Sequence, residues 1–91
     1  MARVRVVRKG VTAAELATVL SRRLGVGFEV LADGQGEVLV RRSLFSAAIV
    51  RIGDVPGATV FRVRGVGMLT SFWTAHIVAD ALRRSPEFRS V

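Results

Sequence analysis

The chain has no cysteine and no tyrosine, one histidine, His76, and one lysine, Lys9. Without cysteine there is no disulfide framework, no thiolate nucleophile and no cysteine-based metal site. A reducing cytoplasm is the expected setting. Without tyrosine, few rings remain to stack on bases. A lone histidine without cysteine leaves a catalytic triad or a structural metal site short of parts. Long apolar runs are also missing. "MARVRVVRKG" contains no h-region of a secretory signal. The most apolar stretch, residues 65–82, barely reaches bilayer length and would place His76 and Asp80 in hydrocarbon. No membrane span is expected.

Valine and arginine are abundant instead. At 91 residues with 51% hydrophobic content, the chain is expected to form one ordered domain, 1–91. Valine favours strands because β-branching suits a pleated surface. The 14 basic and 7 acidic residues leave a formal charge of +7, which favours an anionic partner: nucleic acid, an acidic protein surface or anionic lipid. All basic residues but Lys9 are arginine. Forked guanidinium groups suit phosphate. Codon bias in a GC-rich genome accounts for the same arginine-to-lysine ratio, though not for the net charge.

The elements follow from periodicity. "ARVRVV" alternates Arg3 and Arg5 with Val4 and Val6, a half-buried strand. "VTAAELATVLSRRLG" reads as a helix, with Thr12 and Glu15 at capping-box spacing and Gly25 at the C-terminal position. Its apolar face is Leu16, Ala17, Leu20 and Leu24, flanked by Val19. Asp33-Gly34-Gln35-Gly36 divides two apolar runs as a hairpin turn does. Residues 43–52 fit a strand or a short helical turn followed by one. Pro56-Gly57 suits a type II turn. "TVFRVRGV" is the last strand, with Phe61 and Val63 on one face and Val60, Arg62 and Arg64 on the other. Gly65 and Gly67 then release the chain into a helix from about Met68 to Arg84, which Pro86 stops. Met68, Phe72, Ala75, Ala79 and Leu82 form one stripe of that helix; Trp73, Ile77 and Ala81 form another. The expected fold is α+β, order β-α-β-β-β-β-α, with an antiparallel sheet of four to five strands and both helices on one face.

The strand parity sets the candidate site. If Val4, Val6, Phe61 and Val63 face the helices, then Arg3, Arg5, Arg62 and Arg64 face away. Arg41 and Arg51 join them if the register allows. Like charges on one sheet face repel, so such a face costs stability unless acids or a ligand offset it. Glu29 and Glu37 are placed to offset part. A solvated outer face is the more ordinary account of the same pattern, since an antiparallel sheet can leave one side in water. The strand-region aromatics are Phe28, Phe45 and Phe61, and Phe61 falls on the core parity, so contact with nucleic acid would run through the phosphate backbone and not through base readout.

Other constellations are weaker. "GVGMLTS" lacks the spacing of a phosphate loop. His76 and Asp80, four apart on a helix, can pair, but no nucleophile accompanies them. Trp73 and Ile77 on a second apolar helix face mark a candidate self-contact. The expected protein is a small non-enzymatic binding module without cofactor or metal, homo-oligomeric, whose arginine face contacts an anionic partner such as nucleic acid. Alternatively it is a homo-oligomeric assembly subunit making protein contacts. A ligand pocket between the sheet and the last helix, near Trp73 and His76, is a third reading.

Overall fold

The computed structural model describes residues 2–88; residue 1 and residues 89–91, the ends of the expected domain, lie outside the described part. The chain runs β1 (Ala2–Val6), α1 (Ala13–Leu24), β2 (Glu29–Ala32), β3 (Glu37–Ser43), β4 (Ser46–Val55), β5 (Ala58–Gly67) and α2 (Ser71–Arg84). The expected order and the α+β class therefore hold. All five strands form one antiparallel sheet, β1-β5-β4-β3-β2.

The turn chemistry accounts for the meander. At the β2–β3 turn, Asp33 Oδ1 accepts hydrogen bonds from the backbone N–H groups of Gln35 (2.8 Å) and Glu37 (3.0 Å). Such a side-chain bond to the backbone just downstream fixes a turn. Residues 46–55 are strand from end to end, joined to β3 by a tight turn at Leu44-Phe45. This settles the reading of residues 43–52, because Ser46, Ala48 and Val50 fall on the buried parity. β1 docks beside β5, with Val4 opposite Phe61 and Val6 opposite Thr59. β1 and β2 are thus opposite edges of the sheet, and the segment carrying α1 crosses from one to the other.

Both helices cover the same sheet face, α2 over β5, β4 and β1, α1 over β2 and β3. Thr12 caps α1 by accepting the Glu15 N–H at 3.1 Å, which satisfies one orphan donor of the first turn. Leu16, Val19 and Leu20 are buried beneath it. The core joins these to Val38, Val40, Val50, Phe61, Val63, Val78 and Leu82. Each such side chain contributes about 1.5–3 kcal/mol when fully buried. Phe88, beyond α2, returns to the core and meets Phe61 edge to face at 5.1 Å. This geometry is favourable for aromatic pairs.

The last helix departs from expectation. It begins at Ser71, not Met68, and its buried face is Ser71, Thr74, Val78, Ala79 and Leu82. Met68 and Phe72, read as part of one apolar stripe with Ala79 and Leu82, are exposed. The cause is that β5 stays in the ladder: Gly67 pairs with Ser46, and the Met68 N–H donates to the Phe45 carbonyl at 2.8 Å. The helix therefore starts later and at another phase. Thr74 can face inward because its hydroxyl meets that of Ser46 at 2.6 Å, and a hydrogen-bonded buried hydroxyl avoids the cost of an orphan.

Gly65 and Gly67 are not the exit turn but part of the strand. A Cβ on Gly65 would lie 2.8 Å from the Ser71 carbonyl oxygen, and one on Gly67 2.4 Å from that of Phe45, where φ is +118°. Their role is close approach of backbone to backbone. Gly67→Ala is expected to cost more than about 1 kcal/mol in urea unfolding. Gly53→Ala, where the nearest atom is 3.8 Å away, serves as the tolerated control.

Candidate anion-binding face

The side of the sheet away from the helices collects the arginines, and the register decides which ones meet. Arg3 of β1 lies opposite Arg62 of β5, and Arg62 opposite Arg51 of β4. Three arginines thus stand in a row across adjacent strands, spaced about 4.8 Å apart. Arg64 follows two residues along β5, opposite Ile49. Glu37 of β3 ends the row beside Arg51. Its Oε2 accepts from Arg51 Nε at 2.8 Å and lies 2.7 Å from Nη2. Among the described residues, no carboxylate lies within ion-pair distance of Arg3, Arg5, Arg62 or Arg64.

A depression of about 160 Å³ is lined by Arg3, Glu37, Ile49, Arg51, Arg62 and Arg64. Four of the six candidate arginines therefore converge. Arg5 flanks them on the edge strand, opposite Val60. Arg41 is on the same face but pairs with Glu29, its cross-strand neighbour, outside the depression. The sequence reading missed a second component. Leu31, Leu39 and Ile49 form a cross-strand row on the outer face that leads to Arg64. The arginine row over β1, β5 and β4 thus lies beside an aliphatic row over β2, β3 and β4. The signal was present: "EVLVRR" and "SAAIV" are apolar on both parities, which a strand wet on one side does not need.

The remaining candidates do not gather into a site. Trp73 is 66% exposed and Ile77 half-buried. Ile77 instead lines a groove of about 370 Å³ between the helices, with Phe28, His76 and Asp80 among its walls. Asp80 pairs with Arg84 at 3.2 Å, so the expected His76–Asp80 contact is replaced. Ser71 is buried while His76 is exposed. The layer between sheet and α2 is filled by Val78, Ala79, Leu82 and the Ser46–Thr74 hydroxyl pair, and the groove that His76 lines opens between the helices. Among the described residues, no three His, Cys, Asp or Glu side chains cluster as metal ligands, and no buried side-chain polar atom lacks a partner. No helix among the described residues is long and apolar enough to cross a membrane.

Elsewhere the acids hold arginines for structural ends. Glu87 receives Arg23 at 2.9 Å and Arg22 at 3.2 Å, while Arg8 donates to its backbone carbonyl at 3.3 Å. A hydrogen bond from its own backbone, then one from Arg23, holds its carboxyl below the usual carboxylate range. Because the folded value is lowered, this contribution is full at neutral pH and fades as pH falls through the carboxylate range. Glu87→Gln should therefore flatten the loss of stability on acidification, measured by unfolding at stepwise lower pH.

No family model matches the chain, and neither curated proteins nor solved structures include a significant match. The face is thus read from its own physics. Like charges directly opposite on neighbouring strands destabilise. Arg62→Thr, which relieves both contacts, should stabilise the fold by about 0.5 kcal/mol at low salt. The gain should vanish at molar salt, where the screening length is short. Urea unfolding at the two salt levels measures it.

Proposed function

We propose that the protein is a small non-enzymatic binding module whose arginine-bearing sheet face holds an anionic polymer, and that nucleic acid, gripped by its phosphates, is the partner that fits. The observation that carries this is the in-register row of Arg3, Arg62 and Arg51, with Arg64 beside it and one acid, Glu37, to offset the group. A row of like charges raises the free energy of the unliganded fold, and an anion laid across it lowers that energy. Along a strand, alternate side chains stand about 6.8 Å apart, and across strands about 4.8 Å. The guanidinium forks therefore form a grid that can meet successive phosphates by bidentate contact. Each phosphate neutralised also releases counterions.

The arginine-lined depression carries no ring for bases to stack on, and this shapes the mode. Phe61 points into the core, and Phe28, half-buried, lies under the Arg42 guanidinium at 6.0 Å from its ring centre. The binding is therefore to backbone, tolerant of sequence, in a cytoplasmic setting. A second reading, a homo-oligomeric assembly subunit, draws on the exposure of Trp73, since uncovered aromatics of this size mark contact surfaces.

Fluorescence anisotropy with random duplex and single-stranded oligonucleotides over a salt series tests the first reading. Affinity should fall steeply with salt and vary little with sequence. The double variant Arg62→Ala/Arg64→Ala should stay folded, bind all sequences more weakly and flatten the salt slope by about two. No binding at low salt would remove the nucleic-acid reading in favour of the assembly subunit.

A further inference from the structure

One end of the molecule is apolar, and the sequence reading assigned only Trp73 of it to a contact. Leu44 and Phe45 form the β3–β4 turn, Met68 and Leu69 the β5–α2 connection, and Phe72 and Trp73 the first turn of α2. The ladder brings these segments together: Ser46 pairs with Gly67, and Met68 N–H donates to Phe45 carbonyl at 2.8 Å. All six side chains are 64–84% exposed. Exposure of that size means they project outward, Leu44 also edging a shallow depression beside Phe28 and Arg42.

The charges around this end have one sign. The antiparallel register places Asp33, Glu37 and Asp54 at the opposite end of the sheet. Glu29, the acid nearest the β3–β4 turn, is neutralised by Arg41. Arg42 lies two residues before Leu44, and Arg64 three before Gly67, both exposed. α2 opens here with no acid in its first turn and no side-chain cap, so the positive end of its dipole adds to the two cations. A second copy would bring the same positive collar into contact with this one. A surface of negative lipids would not.

We propose that this end of the molecule dips into the headgroup region of an anionic bilayer. Leu44 and Leu69, the most exposed of the six, reach the acyl boundary. Trp73 sits at headgroup level, where amphipathic rings concentrate. Arg42 and Arg64 face lipid phosphates, and interfacial binding joins buried apolar area to attraction for anionic lipid. The attachment is peripheral and crosses nothing. It does not rest on the sheet-face reading.

Trp73 is the only tryptophan, so its emission reports the contact directly. Titration with phosphatidylcholine vesicles containing phosphatidylserine should shift Trp73 emission to the blue and shield it from a soluble quencher. Pure phosphatidylcholine vesicles should do so far less. Leu44→Ser/Leu69→Ser, on exposed turns, should keep the unfolding midpoint but weaken vesicle binding about tenfold or more, from the loss of two buried leucines. Its oligonucleotide binding should match wild type, which keeps this proposal separable from the sheet-face one. An unshifted spectrum with anionic vesicles would overturn the proposal. So would a serine double variant that binds vesicles as tightly as wild type, since charge alone would then be at work. A lipid-free dimer in sedimentation that Trp73→Glu dissolves would assign this end to a second copy instead.

Discussion

Burial of Phe61 and Val63 at the middle of β5 is the constraint from which the other features follow. Both are fully buried, and a strand's side chains alternate, so fixing these two inward fixes Arg62 and Arg64 outward. The same strand carries β1 on one side and β4 on the other. A slip of one residue in either pairing would invert a whole set of side chains. The hydrophobic free energy of the core thus sets the electrostatic pattern of the opposite face. The arginines do not choose their neighbours; the valines and phenylalanine choose for them.

Acids are then used sparingly and away from the central row. Glu87 gathers Arg22 and Arg23, Glu15 takes Arg8, Glu29 takes Arg41 and Asp80 takes Arg84. These pairs hold the ends of helices and an edge of the sheet. On the outer face only Glu37 engages the row, through Arg51. An exposed pair is worth little in water, so this distribution bears more on where positive potential remains than on how stable the fold is. Edge arginines such as Arg3 and Arg5 also discourage a neighbouring sheet from docking, a role they keep whatever else they bind.

Two surfaces emerge with different physics. The sheet face offers charge on a rigid grid, backed by the buried core of Val38, Val40, Val50, Phe61 and Val63. The end formed by the β3–β4 turn and the start of α2 offers projecting apolar groups on turns. Rigid strands hold the first in fixed geometry, while turns let the second adapt. Gly65 and Gly67 link them: they let α2 and the β3–β4 turn approach β5 within contact of its backbone, and so decide both where the helix starts and which apolar side chains are left outside.

Much of this was legible along the chain. Alternation in "ARVRVV" and "TVFRVRGV", the Thr12 cap, and the turn residues at Asp33 and Pro56-Gly57 fixed the element order and the outward parity of Arg3, Arg5, Arg62 and Arg64, because each depends on residues within a few positions. The phase of α2 was not legible. Its apolar pattern allows two stripes, and the choice was made by a hydrogen bond from Met68 to Phe45 and a hydroxyl pair between Thr74 and Ser46, contacts between distant positions. Nor does local pattern say that β1 joins β5, that Arg62 stands between Arg3 and Arg51, or that Leu44 and Leu69 share one end. Local periodicity determines which way a side chain points. Which other side chains it meets is decided by strand pairing, where long-range burial selects one register from several that the local sequence permits equally.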